Sequence, residues 1–167
     1  METVLLGLGS NQGDSKAIFA GALARLEHLL SGLCCSSVYI TAPQEYTAQN
    51  DFHNMVVSGA YAGTPVSLLT AIQDIEREYG RNRVLEIPKG PRLLDIDILF
   101  FGSRQVSMRQ PPLTIPHPAV SRRAFVLIPL LELYPDYADP CTGEPLAAAL
   151  AALPDQGVHK IGPVERY

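Results

Sequence analysis

The sequence predicts an α+β fold, and three observations carry that prediction. Short apolar runs are bounded by Gly and Pro clusters, two stretches place apolar residues at helical spacing behind capping residues, and the segments follow one another as β-α-β-β-α-β. Glu2 to Gly9 reads as a buried strand. Gly7, Gly9 and Gly13 are spaced one residue too long for a dinucleotide fingerprint and no Gly-Lys-Ser/Thr follows, so Gly9 to Asp14 reads as a strand-to-helix turn. Asp14 can cap a helix whose apolar stripe is Ile18, Phe19, Ala22, Leu23, Leu26, Leu29 and Leu30, with Gly32 after its end. Leu33 to Thr41 is β-rich until Ala42-Pro43 breaks it, and a polar loop, Gln44 to Asp51, leads to a strand from Phe52 to Tyr61. Thr64-Pro65 supplies the N-cap and first turn of a second helix, with Leu68, Leu69, Ile72, Ile75 and Tyr79 inward and Gly80 at its end. A long basic loop, Arg81 to Arg92, precedes the final strand.

That order matches the split βαβ, ferredoxin-like sandwich, a four-stranded antiparallel sheet with both helices on one face. The other face is expected to stay free, with the loops Gln44 to Asp51, Arg81 to Arg92 and Gly102 to Pro118 gathering over it. Phe125 to Leu133 reads as helix interrupted by Pro129, and Leu146 to Leu153 is rich in Ala and Leu, so a C-terminal helical extension follows the sandwich. The chain is expected to form a single domain over 1–167, its core about 3–133 and its extension 134–167.

Composition sets limits on function. With 167 residues, 47% hydrophobic and 18% charged, the chain can bury a real core. Neither a signal peptide nor a membrane span can be drawn, because Val4-Leu5-Leu6 is broken at once by Gly7, Gly9 and Ser10-Asn11, and a cytoplasmic location is expected. Cys34, Cys35 and Cys141 are a poor disulfide framework and match no zinc spacing with the histidines. A net charge of −4 argues against general nucleic-acid affinity, yet nine of the 13 basic residues lie between Arg77 and Arg123, which points to a local anion site.

Within that basic stretch, Gly90-Pro91-Arg92-Leu93-Leu94-Asp95-Ile96-Asp97-Ile98-Leu99-Phe100-Phe101 sets two carboxylates two residues apart in an apolar run. On a strand Leu94, Ile96, Ile98 and Phe100 share one face, and Asp95 and Asp97 share the other with Leu99 and Phe101. Neighbouring carboxylates facing protein need compensation, and Mg²⁺ held by one or two carboxylates together with substrate phosphates provides it. The bland alternative is the solvent face of an amphipathic strand. Pro116-His117-Pro118, followed by Arg122 and Arg123, places a braced histidine near guanidinium groups, a set suited to polyphosphate. Asn54 could present an amide to a heterocycle or merely sit on an exposed strand face.

Taken together, Gly-Ser-Asn-x-Gly-Asp at Gly9 to Asp14, Asp51-Phe52-x-Asn54, Gly90-Pro91-Arg92-x-Leu94-Asp95-x-Asp97, and Ile115-Pro116-His117-Pro118 with Arg123-x-Phe125 resemble the 6-hydroxymethyl-7,8-dihydropterin pyrophosphokinase family in order and spacing, over roughly Thr3 to Leu133. The resemblance implies transfer of pyrophosphate from ATP to the pterin hydroxymethyl group with AMP as coproduct, ATP and the pterin as small-molecule substrates, and two Mg²⁺ ions. It makes Asp95 and Asp97 the metal ligands, and Arg81, Arg83, Arg92, His117 and Arg123 triphosphate contacts, with Arg81 and Arg92 the catalytic pair. Gln73, Glu76, Ile98 and Thr114 fall near the nucleoside. Phe52 and Phe125 sandwich the pterin ring, with Thr41, Asn54 and Asp95 on its edge. Departures from the family pattern are Pro112, where some members carry a basic residue, the absence of tryptophan between Val84 and Lys89, and a loop from Glu45 to Asn50 without the usual glycine and prolines. The rival expectations are a non-catalytic ferredoxin-like module binding an anionic ligand, and a transferase acting on another alcohol.

Overall fold

The computed structural model describes residues 1–43, 48–81 and 91–165. Its central strand, β1 (Glu2–Ser10), has antiparallel neighbours on both sides, β5 (Asp95–Phe101) and β4 (Phe52–Tyr61). The β-rich run after the first helix forms two short strands, β2 (Ser31–Cys35) and β3 (Val38–Thr41), both antiparallel to β4. Ser36 bridges the break between them. Its N–H donates to the Val56 carbonyl and its Oγ accepts the Val56 N–H, each at 2.9 Å, so the ladder is bonded where the strand kinks.

Two capped helices cover one face. In α1 (Ser15–Leu29) the Asp14 carboxylate accepts the Lys16 and Ala17 N–H groups at 3.1 Å, and Phe19, Ala22, Leu23 and Leu26 are buried. In α2 (Pro65–Glu78) Thr64 and Ser67 form a reciprocal capping box ahead of buried Leu68, Leu69, Ile72 and Ile75. Both pack on Val4, Leu6, Leu8, Met55, Val57, Ile96 and Ile98, the alternate residues of the three central strands.

The opposite face is only half free, which corrects the expectation of an open face. Leu5, Val56, Leu99 and Phe100 are covered by α3 (Ala124–Leu133), which follows a 3-10 turn at Val120–Arg122, and by α4 (Leu146–Ala151). The reason lies in composition: α3 is apolar nearly all round, so it buries more than a stripe and runs through Pro129. The half bearing Gly7, Gly9, Asn54, Asp95 and Asp97 is left open.

The expected alternation along β5 is also corrected at its end. Leu6 pairs with Ile98 and Leu5 with Phe100, so Leu99 is an extra residue and β5 carries a bulge. Phe100 therefore joins the carboxylate face and Phe101 the helix-side core, the reverse of a strict period of two. Between Gly102 and Pro118 the chain is a hairpin and not an unstructured loop: β6 (Val106–Arg109) pairs with β7 (Pro112–Ile115). The C-terminal extension is helical only in part, since β8 (His159–Gly162) adds itself to β3 and completes the order β5-β1-β4-β3-β8.

Candidate functional site

The open half of the sheet is a cleft because its central strand carries glycine there. Gly9 pairs with Asp95 on one side and Asn54 on the other, and Gly7 pairs with Asp97 and Val56. Cross-strand partners share a face, so the flanking strands project side chains over a floor that has none. A Cβ at Gly9 would stand 3.6 Å from Asn54 Oδ1 and 3.9 Å from Asp95 Cβ, and one at Gly7 would stand 3.4 Å from Leu99 Cδ2.

Carboxylates and guanidinium groups form one wall. Arg81 bonds Asp95 Oδ1 and Arg92 bonds Asp95 Oδ2, so the two arginines grip one carboxylate from both oxygens. Burial alone would raise the Asp95 carboxyl, but the charges and hydrogen bonds of Arg92 and Arg81 outweigh it and hold the group below its ordinary range. Among the described residues Asp97 has no such pair of hydrogen bonds. Burial and then the charge of Asp95 push it up to about 6, against the opposing pull of Arg123, Arg81 and Arg92. Its side chain remains 41% exposed at the mouth of the cleft.

His117 Nε2 stands 3.8 Å from Asp97 Oδ2, while its Nδ1 accepts the Ala119 N–H at 3.2 Å. That acceptor role assigns the proton of the neutral imidazole to Nε2, which faces the carboxylates. Burial, and next the Arg123 charge, lower its pKa. The backbone N–H of His117 donates to the Leu99 carbonyl at 2.9 Å, tying the residue to the bulged strand.

Glu76 supports this wall from below. It is 1% exposed, pairs with Arg81, and accepts the Ile96 N–H at 2.8 Å, which joins α2 to β5 and fixes the arginine. Asn11 does the same for Arg92: its Oδ1 accepts the Arg92 N–H at 2.8 Å, and its Nδ2 donates to Gln49 Oε1 at 2.9 Å and the Asn50 carbonyl at 3.2 Å. Two loops that converge on the cleft are thus held by one buried amide.

The other wall is flat and largely apolar. Phe52 and Phe125 line it with Thr41, Asn54 and Val126, and Asn54 Nδ2 donates to Thr41 Oγ1 at 3.1 Å. The Arg123 guanidinium lies 5.6 Å from the Phe125 ring centre, at the junction of the charged and aromatic walls.

Asp95, Asp97, Arg92, Arg123, Thr41, Phe52, Asn54 and Phe125 therefore line one cleft, with Arg81 and His117 bonded to or facing its carboxylates. The remaining expected residues do not line it. Ile98 points into the helix-side core; Thr114 is exposed on β7; Gln73 is half-buried on α2; and Glu76 is committed to Arg81 and Ile96. Arg83 lies outside the described residues, as do residues 82–90 of the basic loop expected to gather over the sheet. Gly7 and Gln49 also line the cleft and were not singled out as site residues in the sequence, and Gly9 and Asn11 stood there only within the Gly-Ser-Asn-x-Gly-Asp motif, with no role at the site. The alternation of Gly7 and Gly9 with Leu6 and Leu8 was a usable signal, since it marks a strand with no side chains on one face.

Two neighbouring carboxylates fit a hard divalent cation. Among the described residues no cluster of three His, Cys, Asp or Glu side chains is suited to a metal, and one or two carboxylates completed by water and phosphate oxygens are the habit of Mg²⁺. Burial and then the neighbouring Asp95 charge both disfavour ionised Asp97, and a cation placed between the two carboxylates would favour it.

Comparison with known proteins agrees with this geometry. Residues 5–135 match the family model of 7,8-dihydro-6-hydroxymethylpterin-pyrophosphokinase (HPPK). A 2-amino-4-hydroxy-6-hydroxymethyldihydropteridine pyrophosphokinase of Methylorubrum extorquens is 40% identical over 96% of this chain and 99% of its own length. The folic acid synthesis protein fol1 of Schizosaccharomyces pombe is 41% identical over 92% of this chain, and the chain spans only 21% of that protein. Among solved structures, wild-type HPPK-DHPS of Plasmodium falciparum superposes with a TM-score of 0.69 at 16% identity, over 90% of this chain and 44% of that one, a likeness of fold.

Proposed function

The chain belongs to the 7,8-dihydro-6-hydroxymethylpterin-pyrophosphokinase family, and from that premise we propose that it transfers the pyrophosphoryl group of ATP to the hydroxyl of 6-hydroxymethyl-7,8-dihydropterin, releasing AMP, in folate synthesis. The observation that carries the proposal is the meeting of Asp95, Asp97, Arg92 and Arg123 with Phe52, Asn54 and Phe125 in one glycine-floored cleft.

The alcohol oxygen bonds to the β-phosphorus, the bond from that phosphorus to the α-phosphate oxygen breaks, AMP leaves with the electron pair, and the hydroxyl proton is released. Such a step asks for in-line placement and charge neutralisation more than for covalent help. Asp95 and Asp97 would hold two Mg²⁺ ions, which would supply neutralisation of the phosphates and polarisation of the hydroxyl. Arg81 and Arg92 carry the donors that turn from Asp95 to phosphate oxygens, and Arg123 with the Nε2–H of His117 adds donors from the opposite side. Glu76 holds Arg81 and Asn11 holds Arg92, so each arginine is aimed before substrate arrives. Phe52 and Phe125 receive the pterin ring and Asn54, with the Thr41 backbone, reads its edge. Gln73, the Ile98 backbone and Thr114 fall to the nucleoside.

The same reading assigns 1–167 to one domain, supported by the packing of α4 against α3 and of β8 against β3. It assigns the chain to the cytoplasm, supported by the odd number and adjacent placement of Cys34 and Cys35 with Cys141, a poor disulfide framework; no helix among the described residues is long and apolar enough to cross a membrane.

The test is AMP formation from ATP with Mg²⁺, with and without 6-hydroxymethyl-7,8-dihydropterin. AMP appearing only with the pterin, in equal amount to its diphosphate, is expected. Binding of both ligands without AMP would overturn the proposal in favour of a non-catalytic module.

A further inference from the structure

The first turn of α3 carries both Arg123 and Phe125 into the cleft, yet it has no side-chain cap of its own: Arg123 occupies the N-cap position and makes no capping hydrogen bond. Uncapped helix starts leave N–H groups unsatisfied and fray. The missing partner comes from 32 residues downstream, where Gln156 Oε1 accepts the Ala124 N–H at 2.9 Å. The other end of the same amide, Nε2, donates to the Arg122 carbonyl at 3.0 Å. One side chain therefore holds the backbone on both sides of Arg123.

Gln156 is itself presented by a built turn. Asp155 Oδ1 accepts the Gly157 N–H at 2.9 Å, and Gly157 has φ +64°, a conformation that favours glycine. Ahead of this turn α4 packs in the same apolar cluster as Val120 and α3, and after it β8 pairs with β3, so the segment is anchored on both sides.

We infer that Gln156 is a positioning residue for the pterin side of the cleft, its amide clamp on Arg122 and Ala124 setting the direction in which Arg123 and Phe125 leave the start of α3. The inference rests on the functional reading above, in which those two side chains meet the substrate. The guanidinium of Arg123 lies over the Phe125 ring, so a first turn that unwinds displaces both together. This gives the C-terminal extension a task in binding although none of its described residues lines the cleft.

The experiment compares the full-length protein with Gln156→Ala, Gln156→Glu and, as a control, Thr64→Ala, which uncaps α2 at the end remote from the cleft. Pterin and ATP dissociation constants, KM and kcat, and amide hydrogen exchange are measured for each. Gln156→Ala is expected to weaken pterin binding ~5–10-fold, equivalent to about 1–1.4 kcal/mol, and to speed exchange at Ala124, Phe125 and Val126 while leaving α1 protected. Gln156→Glu keeps an acceptor for the Ala124 N–H and is expected to recover part of the affinity. Thr64→Ala should lower the melting temperature without changing pterin affinity. Unchanged pterin affinity in Gln156→Ala, or an equal loss in Thr64→Ala, overturns the inference. Wild-type protein that binds no pterin overturns the functional reading instead, and the exchange rates of Gln156→Ala then still decide whether Gln156 sets the start of α3.

Discussion

Gly9 lies directly across the strand pair from Asp95, and the side chain it lacks is what leaves that carboxylate a face on which to act. A methyl group at Gly9 meets Asn54 Oδ1 and Asp95 Cβ only at ordinary contact distances of 3.6 and 3.9 Å. Gly9→Ala should therefore fold with stability within about 1 kcal/mol of wild type. Gly9→Leu should keep the sheet yet fill the cleft, with calorimetric binding of pterin falling below detection. Retained binding in the leucine variant would show that the cleft floor is elsewhere.

Asn11 satisfies three groups from two loops with one buried amide. Its replacement by alanine strands the Arg92 N–H and the Asn50 carbonyl, a loss of about 2–3 kcal/mol. Because Arg92 is aimed by that contact, kcat should also fall, roughly 10-fold. Thermal melts and steady-state kinetics check the two effects separately; a destabilised variant with unchanged kcat would mean that Arg92 needs no such support.

Glu132 joins α3 to the sheet edge, accepting hydrogen bonds from Ser37 N at 3.1 Å, Ser37 Oγ and Tyr39 Oη at 2.8 Å, and Lys160 Nζ at 3.1 Å. Burial pushes its carboxyl up, but the donors outweigh it and hold the group below its ordinary value of 4.5, while burial and then Glu132 push the Tyr39 phenol up to about 12. A depressed carboxyl adds stability that is present above its unfolded value and lost as pH falls through the folded one. With the side chain 28% exposed, Glu132→Gln should cost about 1 kcal/mol at pH 7, and the difference should shrink as pH falls below 4.5 and be lost through the lower folded value. Melting temperatures of both proteins across pH 3 to 8 measure this, and a gap independent of pH would exclude the charged form as its source.

Local signals were legible wherever a few neighbouring residues decide the structure. Asp14 and Thr64 cap the helices they were expected to cap, and the strand from Phe52 to Tyr61 has the bounds its pattern implied. Features that depend on distant partners were not. β8 is four residues long and becomes a strand only because β3 offers an open edge, and the Leu99 bulge exists only relative to the register of β1. The β6–β7 hairpin has exposed residues through most of β6, which leaves little apolar alternation to read. The charged wall could be located from Asp95, Asp97 and the basic stretch, whereas its supports, Asn11 and Gln156, act across 81 and 32 residues of chain, so that neither partner can be read locally even where Asn11 stands in a quoted motif.

The account depends above all on the paired carboxylates holding the metal-nucleotide, and Asp97→Asn tests it most directly. Without metal, removing one of two repelling charges should leave the melting temperature equal to or slightly above wild type, since the group is partly exposed and solvent screens much of the gain. With saturating Mg²⁺, ATP and 6-hydroxymethyl-7,8-dihydropterin, AMP formation by the same variant should fall ~10²–10³-fold. A folded Asp97→Asn protein that releases AMP at close to the wild-type rate would contradict the assignment.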